Sequence, residues 1–144
     1  MKTILVVDDD ELILELTATF LENLSSRLTV LTAENGAEAI DVLKTKKVDL
    51  VLTDLNMPEI DGFTLLSYIS VKHPDIRTIV MTGLESAGIS EKLRFLGVSH
   101  CLEKPFSIHD LDEKIIQILG KDTGRTEPAY SAQKANTLKS AFSQ

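Results

Sequence analysis

Five times before residue 120, a short run of aliphatic and β-branched residues gives way to a segment whose apolar residues recur at helical spacing. A chain that alternates strand and helix in this way places its strands parallel. Each helix then serves as the right-handed crossover to the next strand. The first run, Thr3-Ile4-Leu5-Val6-Val7, is continuously apolar and stops at Asp8-Asp9-Asp10, which predicts a central strand buried on both faces. Residues 11–24 then follow a helical period, with Ile13, Leu16, Phe20 and Leu24 as the stripe and Leu12 and Leu21 widening it. An aspartate at the head of that helix suits its positive end, and Ser25-Ser26 ends it. Leu28 to Ala33 is a more polar strand suited to a sheet edge, and Asn35-Gly36-Ala37-Glu38 has the cap-plus-acid spacing that opens a helix running to about Lys46.

The third strand, Val48 to Thr53, ends in Asp54, and a proline-containing turn leads to Asp61-Gly62 and a helix that stops at His73-Pro74. Ile76 to Thr82 forms the fourth strand. Ile89, Leu93 and Leu96 stripe the next helix, which Gly97 terminates. Val98 to Leu102 is the fifth strand, and Ser107-x-x-Asp110 opens a last helix that Gly120 closes. The expected fold is therefore α/β: a doubly wound five-stranded parallel sheet, strand order 2-1-3-4-5, with helices on both faces. Residues 1–120 form one domain. Residues 121–144 turn polar and carry a Gly and a Pro. They read as a linker or tail, with Ser131 to Ser143 a weak amphipathic helix or the start of an output region.

Composition narrows the class. The formal charge is −7; residues 121–144 carry four Lys/Arg and two Asp/Glu, or +2, which leaves −9 on residues 1–120. So acidic a domain does not grip nucleic acid through its phosphates. No apolar run approaches the roughly 20 residues of a membrane span, and Met1-Lys2 leads directly into a strand, so neither a membrane nor a secretory route is expected. A single cysteine, Cys101, excludes an internal disulfide framework and suits a reducing compartment such as the cytoplasm. The glycines follow no dinucleotide-binding pattern, and His73, His100 and His109 lack metal-ligand spacing.

In the 2-1-3-4-5 order the carboxyl ends of strands 1, 3, 4 and 5 meet on one rim, at the position where open α/β sheets bind ligands. Here those ends bring Asp8-Asp9, Asp54, Thr82 and Lys104 together. Three converging carboxylates repel one another, and one lysine does not neutralise them. A hard divalent cation does, and Mg²⁺ in particular takes a few carboxylates, waters and a phosphate oxygen. A hydroxyl and an ammonium complete the requirements of a phosphoryl group, for which a carboxylate can be the covalent acceptor. Pro105 biases Lys104 to an extended backbone, which aims its side chain along the rim.

These residues carry a family resemblance. Ile4-Leu5-Val6-Val7-Asp8-Asp9, Asp54-Leu55-Asn56-Met57-Pro58 with Asp61-Gly62, Met81-Thr82-Gly83 and Lys104-Pro105-Phe106 together resemble the receiver domain of two-component response regulators, over residues 3 to about 119. The resemblance implies that Asp54 accepts a phosphoryl group from a histidine kinase or phosphotransfer protein. It further implies that Asp9 ligates Mg²⁺ directly, that Asp8 acts mainly through water, and that Asp54 and the main-chain carbonyl of Asn56 complete the protein ligands. Thr82 and Lys104 meet the phosphoryl oxygens, and the surface of the fourth helix, fifth strand and fifth helix then changes for a partner or output domain to read. By the same resemblance, Asn56 and Leu84 tune the phosphoryl lifetime.

The chain departs from the family at Cys101, where a Tyr or Phe usually stands three residues before the lysine. A small thiol reads as a strand core residue and removes the usual aromatic gate. That opens an alternative: a protein-binding scaffold whose contacts ignore phosphorylation. A turnover enzyme of the aspartyl-phosphate phosphatase kind is disfavoured, because no cap domain is present to accompany Asp8-Asp9-Asp10. Lys92, Arg94, Asp110, Asp112 and Lys114 form a mixed-charge face that would suit a homodimer.

Overall fold

The structure, a computed structural model, describes residues 1–57, 60–83, 87–98 and 100–123. Among these residues five strands and five helices alternate: β1 (Lys2–Val7), α1 (Glu11–Leu24), β2 (Leu28–Ala33), α2 (Gly36–Thr45), β3 (Leu50–Asp54), α3 (Gly62–Lys72), β4 (Arg77–Thr82), α4 (Ala87–Phe95), β5 (His100–Glu103) and α5 (Ile108–Thr123). All pairings are parallel and the sheet order is β2-β1-β3-β4-β5, as the alternation of elements required.

The continuous apolar runs are explained by a sheet covered on both faces. Successive residues of a strand point to opposite sides. Ile4 and Val6 of β1, Leu50 and Leu52 of β3, and Ile79 and Met81 of β4 pack with α1 and α5. Their neighbours Leu5, Val7 and Val51 pack under α2 and α3, and Val80 lies under α3 and α4. At the edge, β2 is only partly buried from Thr29 to Leu31, with Thr32 exposed, which accounts for its polar sequence.

The helix ends follow their sequence signals. The side chain of Asn35 accepts the Glu38 N–H at 2.8 Å while Glu38 reaches back to the Glu34 N–H at 2.7 Å. Ser107 and Asp110 exchange reciprocal bonds of 3.0 and 3.1 Å and start α5. After α4, Gly97 takes φ +82°. Its N–H reaches the Arg94 carbonyl, and the Val98 N–H reaches that of Leu93, the double bond by which a left-handed glycine stops a helix. Asn35→Ala is expected to cost about 1 kcal/mol by removing the α2 cap, measurable as a lowered urea midpoint.

Three sequence expectations are corrected. The buried side of α1 is Ile13, Leu14, Thr17, Ala18, Phe20, Leu21 and Leu24, whereas Leu12 is 58% and Leu16 37% exposed. The helix packs over β2 as well as β1, so Leu14 and Ala18 are buried while Leu12 and Leu16 turn outward. Gly120 does not close α5, which continues to Thr123; an isolated glycine weakens a helix without stopping it. Asp112 is fully buried, one residue from Leu111 on the inward side of α5, and so drops out of the mixed-charge face. Pro58, Leu84 and residues 124–144 lie outside the described residues.

Candidate functional site: an acidic rim with one lysine

The strand register aligns four strand ends. Val7 stands beside Thr53, Asp54 beside Met81, and Thr82 beside Glu103. One residue past β1, the Asp8 N–H extends the ladder to the Ala33 carbonyl at 3.2 Å. Asp8, Asp9, Asp54, Thr82 and Lys104 are therefore brought together on one edge, as the sequence predicted.

The triple acid after β1 divides into three tasks. The carboxylate of Asp10 caps α1, accepting the N–H groups of Leu12 and Ile13 at 3.0 and 3.2 Å. Asp9 is exposed. Asp8 is 1% exposed; its Oδ1 accepts the Asp10 N–H at 3.0 Å, while its Oδ2 is buried and, among the described residues, meets no hydrogen-bond donor. Lys104 Nζ stands 3.6 Å from that oxygen, an ion-pair distance too long for a hydrogen bond. Burial raises the Asp8 pKa from 3.8 to about 6; the Asp10 N–H and Lys104 pull it down, and Asp54 and Asp9 push it up. The leading cause is desolvation, with repulsion between carboxylates a smaller contribution.

Both oxygens of Asp54 are engaged. Oδ1 accepts the Asn56 N–H at 3.2 Å, and Oδ2 accepts Lys104 Nζ at 3.0 Å. The backbone beneath is held as firmly. The buried Thr53 hydroxyl donates to the Asp54 carbonyl at 2.9 Å, and the Gly62 N–H donates to the Leu55 carbonyl at 2.9 Å. A Cβ on Gly62 would stand 2.5 Å from the Asp54 oxygen and 2.6 Å from Leu55 Cα, so α3 begins directly against the backbone of Asp54. Asp61 caps that helix through the Thr64 N–H at 2.9 Å, and this bond holds its carboxyl below the usual range. The Asp61-Gly62 pair is thus a cap followed by a residue small enough for the approach.

Thr82 is buried at the end of β4, and its carbonyl accepts the Lys104 N–H at 2.7 Å. The Lys104–Pro105 bond is cis, a detail the sequence reading did not include. Cys101 is half-buried and packs against the Leu55, Leu66, Val80 and Leu93 cluster, in keeping with a strand core role. It also lines an open groove of about 570 Å³ with Lys104, Phe106, Asp110 and Glu113. The histidines serve elsewhere: His73 meets the Tyr68 ring at a tilt with centroids 5.6 Å apart, His109 pairs with Glu113 at 3.1 Å, and burial lowers the pKa of half-buried His100. Lys92, read in the sequence as part of the mixed-charge face, sits with its ammonium 4.1 Å from the centre of the Phe63 ring and ties α4 to α3.

Carboxylate oxygens of Asp8, Asp9 and Asp54 lie within 4.8 Å of one another, the only such trio of metal-ligating side chains among the described residues. The set fits a hard divalent cation: all donors are oxygens, one buried oxygen lacks a donor, and three acids face one ammonium. Residues 4–116 match the sequence model of the family described as response regulator receiver domain.

The chain belongs to the response regulator receiver domain family.

Relatives of this receiver domain include the uncharacterized transcriptional regulatory protein YesN of Bacillus subtilis, 29% identical over 97% of this chain and 39% of YesN. The DNA-binding transcriptional regulator NtrC of Escherichia coli is 36% identical over 76% of this chain and 22% of its own length. The receiver domain thus spans well under half of these relatives. A crystal structure of a CheY-like receiver domain protein from Methanospirillum hungatei superposes with a TM-score of 0.78 at 30% identity, covering 85% of this chain and 96% of that one. No helix among the described residues is long and apolar enough to cross a membrane.

Proposed function

We propose that this receiver domain switches by taking a phosphoryl group onto Asp54. The observation that carries the reading is the pairing of Asp54 Oδ2 with Lys104 Nζ at 3.0 Å on a rim that also holds Asp8 and Asp9. Asp54 is fixed through both oxygens and through its own carbonyl, so the acceptor is oriented before a donor arrives, and positioning is most of what phosphoryl transfer asks of a protein. An Asp54 carboxylate oxygen bonds to phosphorus as the donor's P–N bond breaks, and the released imidazole keeps the electron pair and takes a proton. The donor is a histidine kinase or phosphotransfer protein. Leu12, exposed in the first turn of α1 after the acidic run, offers it an apolar footing.

Mg²⁺, held by Asp8, Asp9, Asp54 and the main-chain carbonyl of Asn56, would supply charge neutralisation and an oriented phosphoryl group. Lys104 would transfer its ion pair from Asp54 to a phosphoryl oxygen, and the Thr82 hydroxyl would donate to another. Lys104→Met is expected to slow phosphoryl uptake by about 10²-fold, the usual cost of losing one aimed donor at a transition-state oxyanion. Initial rates of adduct formation at saturating Mg²⁺ check this, and unchanged rates would remove Lys104 from the role.

The change would be read on the surface of α4, β5 and α5. The scaffold alternative differs in one observable: on addition of a phosphoryl mimic, hydrogen exchange over residues 87–118 changes if the domain switches and stays fixed if it is a passive scaffold. Residues following α5 are proposed to be a linker or tail. The principal test is intact mass after incubation with Mg²⁺ and a small phosphodonor. One acid-stable, base-labile phosphoryl group, mapped to the peptide containing Asp54, is expected. A Mg²⁺-independent adduct, or one mapped elsewhere, would overturn the assignment.

A further inference from the structure

Gly36 is the first residue of α2, is buried, and belongs to no strand end of the rim. Its backbone does not need glycine, since the positive φ among the described glycines is that of Gly97. Alanine is the better helix former at such a position. Space, not conformation, requires the glycine: a Cβ at residue 36 would stand 2.5 Å from the Ile60 carbonyl oxygen, 2.7 Å from Ile60 Cγ2 and 2.8 Å from Ile60 Cβ. Backbone of the β3–α3 connection therefore rests on the N-terminal turn of α2.

That connection is short and tied at both ends. Leu55 and Gly62 are joined by the bond from the Gly62 N–H to the Leu55 carbonyl. Asn56 is fastened to Asp54 through its N–H, and Met57 is buried under α2 and α3. The α2 turn it rests on is itself fixed by the Asn35–Glu38 cap. The bond between Gly62 and Leu55 thus places Ile60 and Asn56 on one closed loop, four residues apart.

We propose that Gly36 is a positioning residue for the metal site: by admitting Ile60, it sets where the Asn56 carbonyl stands relative to Asp54, Asp8 and Asp9. This rests on the reading that these groups hold Mg²⁺. Groups that orient metal ligands typically change affinity by about 10–100-fold when altered, and Gly36 acts at that level through its close contact with Ile60.

The test measures Mg²⁺ affinity by calorimetry and stability by urea unfolding on the full chain. Gly36→Ala is expected to weaken Mg²⁺ binding about tenfold or more, and Ile60→Ala, which frees the connection from α2 without a clash, by a smaller factor. Leu43→Ala, on the buried side of the same helix two turns away, is expected to lose stability yet keep its Mg²⁺ affinity within about twofold, separating positioning from general damage to α2. An unchanged affinity in Gly36→Ala, or a gain in stability as helix propensity alone dictates, would overturn the proposal. Should Gly36→Ala not fold, a Mg²⁺ titration of the unaltered protein followed by amide NMR decides. Shifts at residues 36–38 that track those at Asp9 and Asn56 support the coupling, and silence there overturns it. Absence of any Mg²⁺ binding by the unaltered protein is a separate result, and it defeats the metal reading together with this inference.

Discussion

Asp54→Asn is expected to carry no phosphoryl group at all under conditions that label the unaltered protein. The substitution keeps the shape of the side chain and the oxygen that can accept the Asn56 N–H at 3.2 Å, while the amide lacks the nucleophilic oxygen that forms an acyl phosphate. The ammonium now 3.0 Å from Asp54 stands 3.6 Å from Asp8 as well. Loss of labelling therefore reports the loss of the acceptor, since the Asn56 N–H bond and the Thr53 bond to the residue-54 carbonyl survive. Intact mass with and without a small phosphodonor is the measurement. An adduct that persists in Asp54→Asn would move the acceptor to another carboxylate, with exposed Asp9 the first to examine.

Asp8→Asn is expected to stabilise the metal-free protein at pH 7 and to abolish most of its response to Mg²⁺. The sign follows from the direction of the shift. Burial lifts the Asp8 pKa from 3.8 to about 6, so between those values the folded state holds a proton that the unfolded chain has released. Stability then falls as pH rises through this window. At pH 7 that rise from 3.8 to about 6 corresponds to roughly 3 kcal/mol against the fold. An uncharged isostere escapes that cost, so Asp8→Asn should gain about 2–3 kcal/mol at pH 7 in chelator and nearly nothing at pH 4. Urea midpoints at the two pH values, with and without Mg²⁺, check both halves. Equal stability of the two proteins at pH 7 would mean that the carboxylate is better solvated than its 1% exposure indicates.

That a site residue should lower stability explains why so much of the rim was legible in the sequence. Carboxylates after the apolar runs Ile4 to Val7 and Leu50 to Thr53 make little sense as packing, and they drew attention because they break the local pattern. The fold was legible for the complementary reason: the continuous strands, the Asn35–Glu38 and Ser107–Asp110 boxes and the Gly97 stop all agree with the tertiary structure. What escaped was set by contacts between distant elements. The rotation of α1 depends on how it leans over β2, so Leu12 and Leu16 were assigned to the wrong side. Asp112 looked like a surface charge because one-dimensional spacing does not reveal how wide the buried side of α5 is. Gly36 read as an ordinary residue of a cap motif, and its contact with Ile60 becomes visible only when α2 and the β3–α3 connection are placed side by side.

The 2.7 Å bond from the Lys104 N–H to the Thr82 carbonyl bears on the ring missing at position 101. In the proposed switch, Thr82 and Lys104 are the two groups that answer the phosphoryl oxygens, and this bond fastens them backbone to backbone. A pull on either side chain is thereby shared by the end of β4 and the turn after β5. The two strands answer as one yoked pair, even though Cys101 is too short to act as a lever between them. Motion can then reach α4 through the wall that Val80, Cys101 and Leu93 form together. A small thiol would leave that wall softer than an aromatic ring, and the yoke would still turn it.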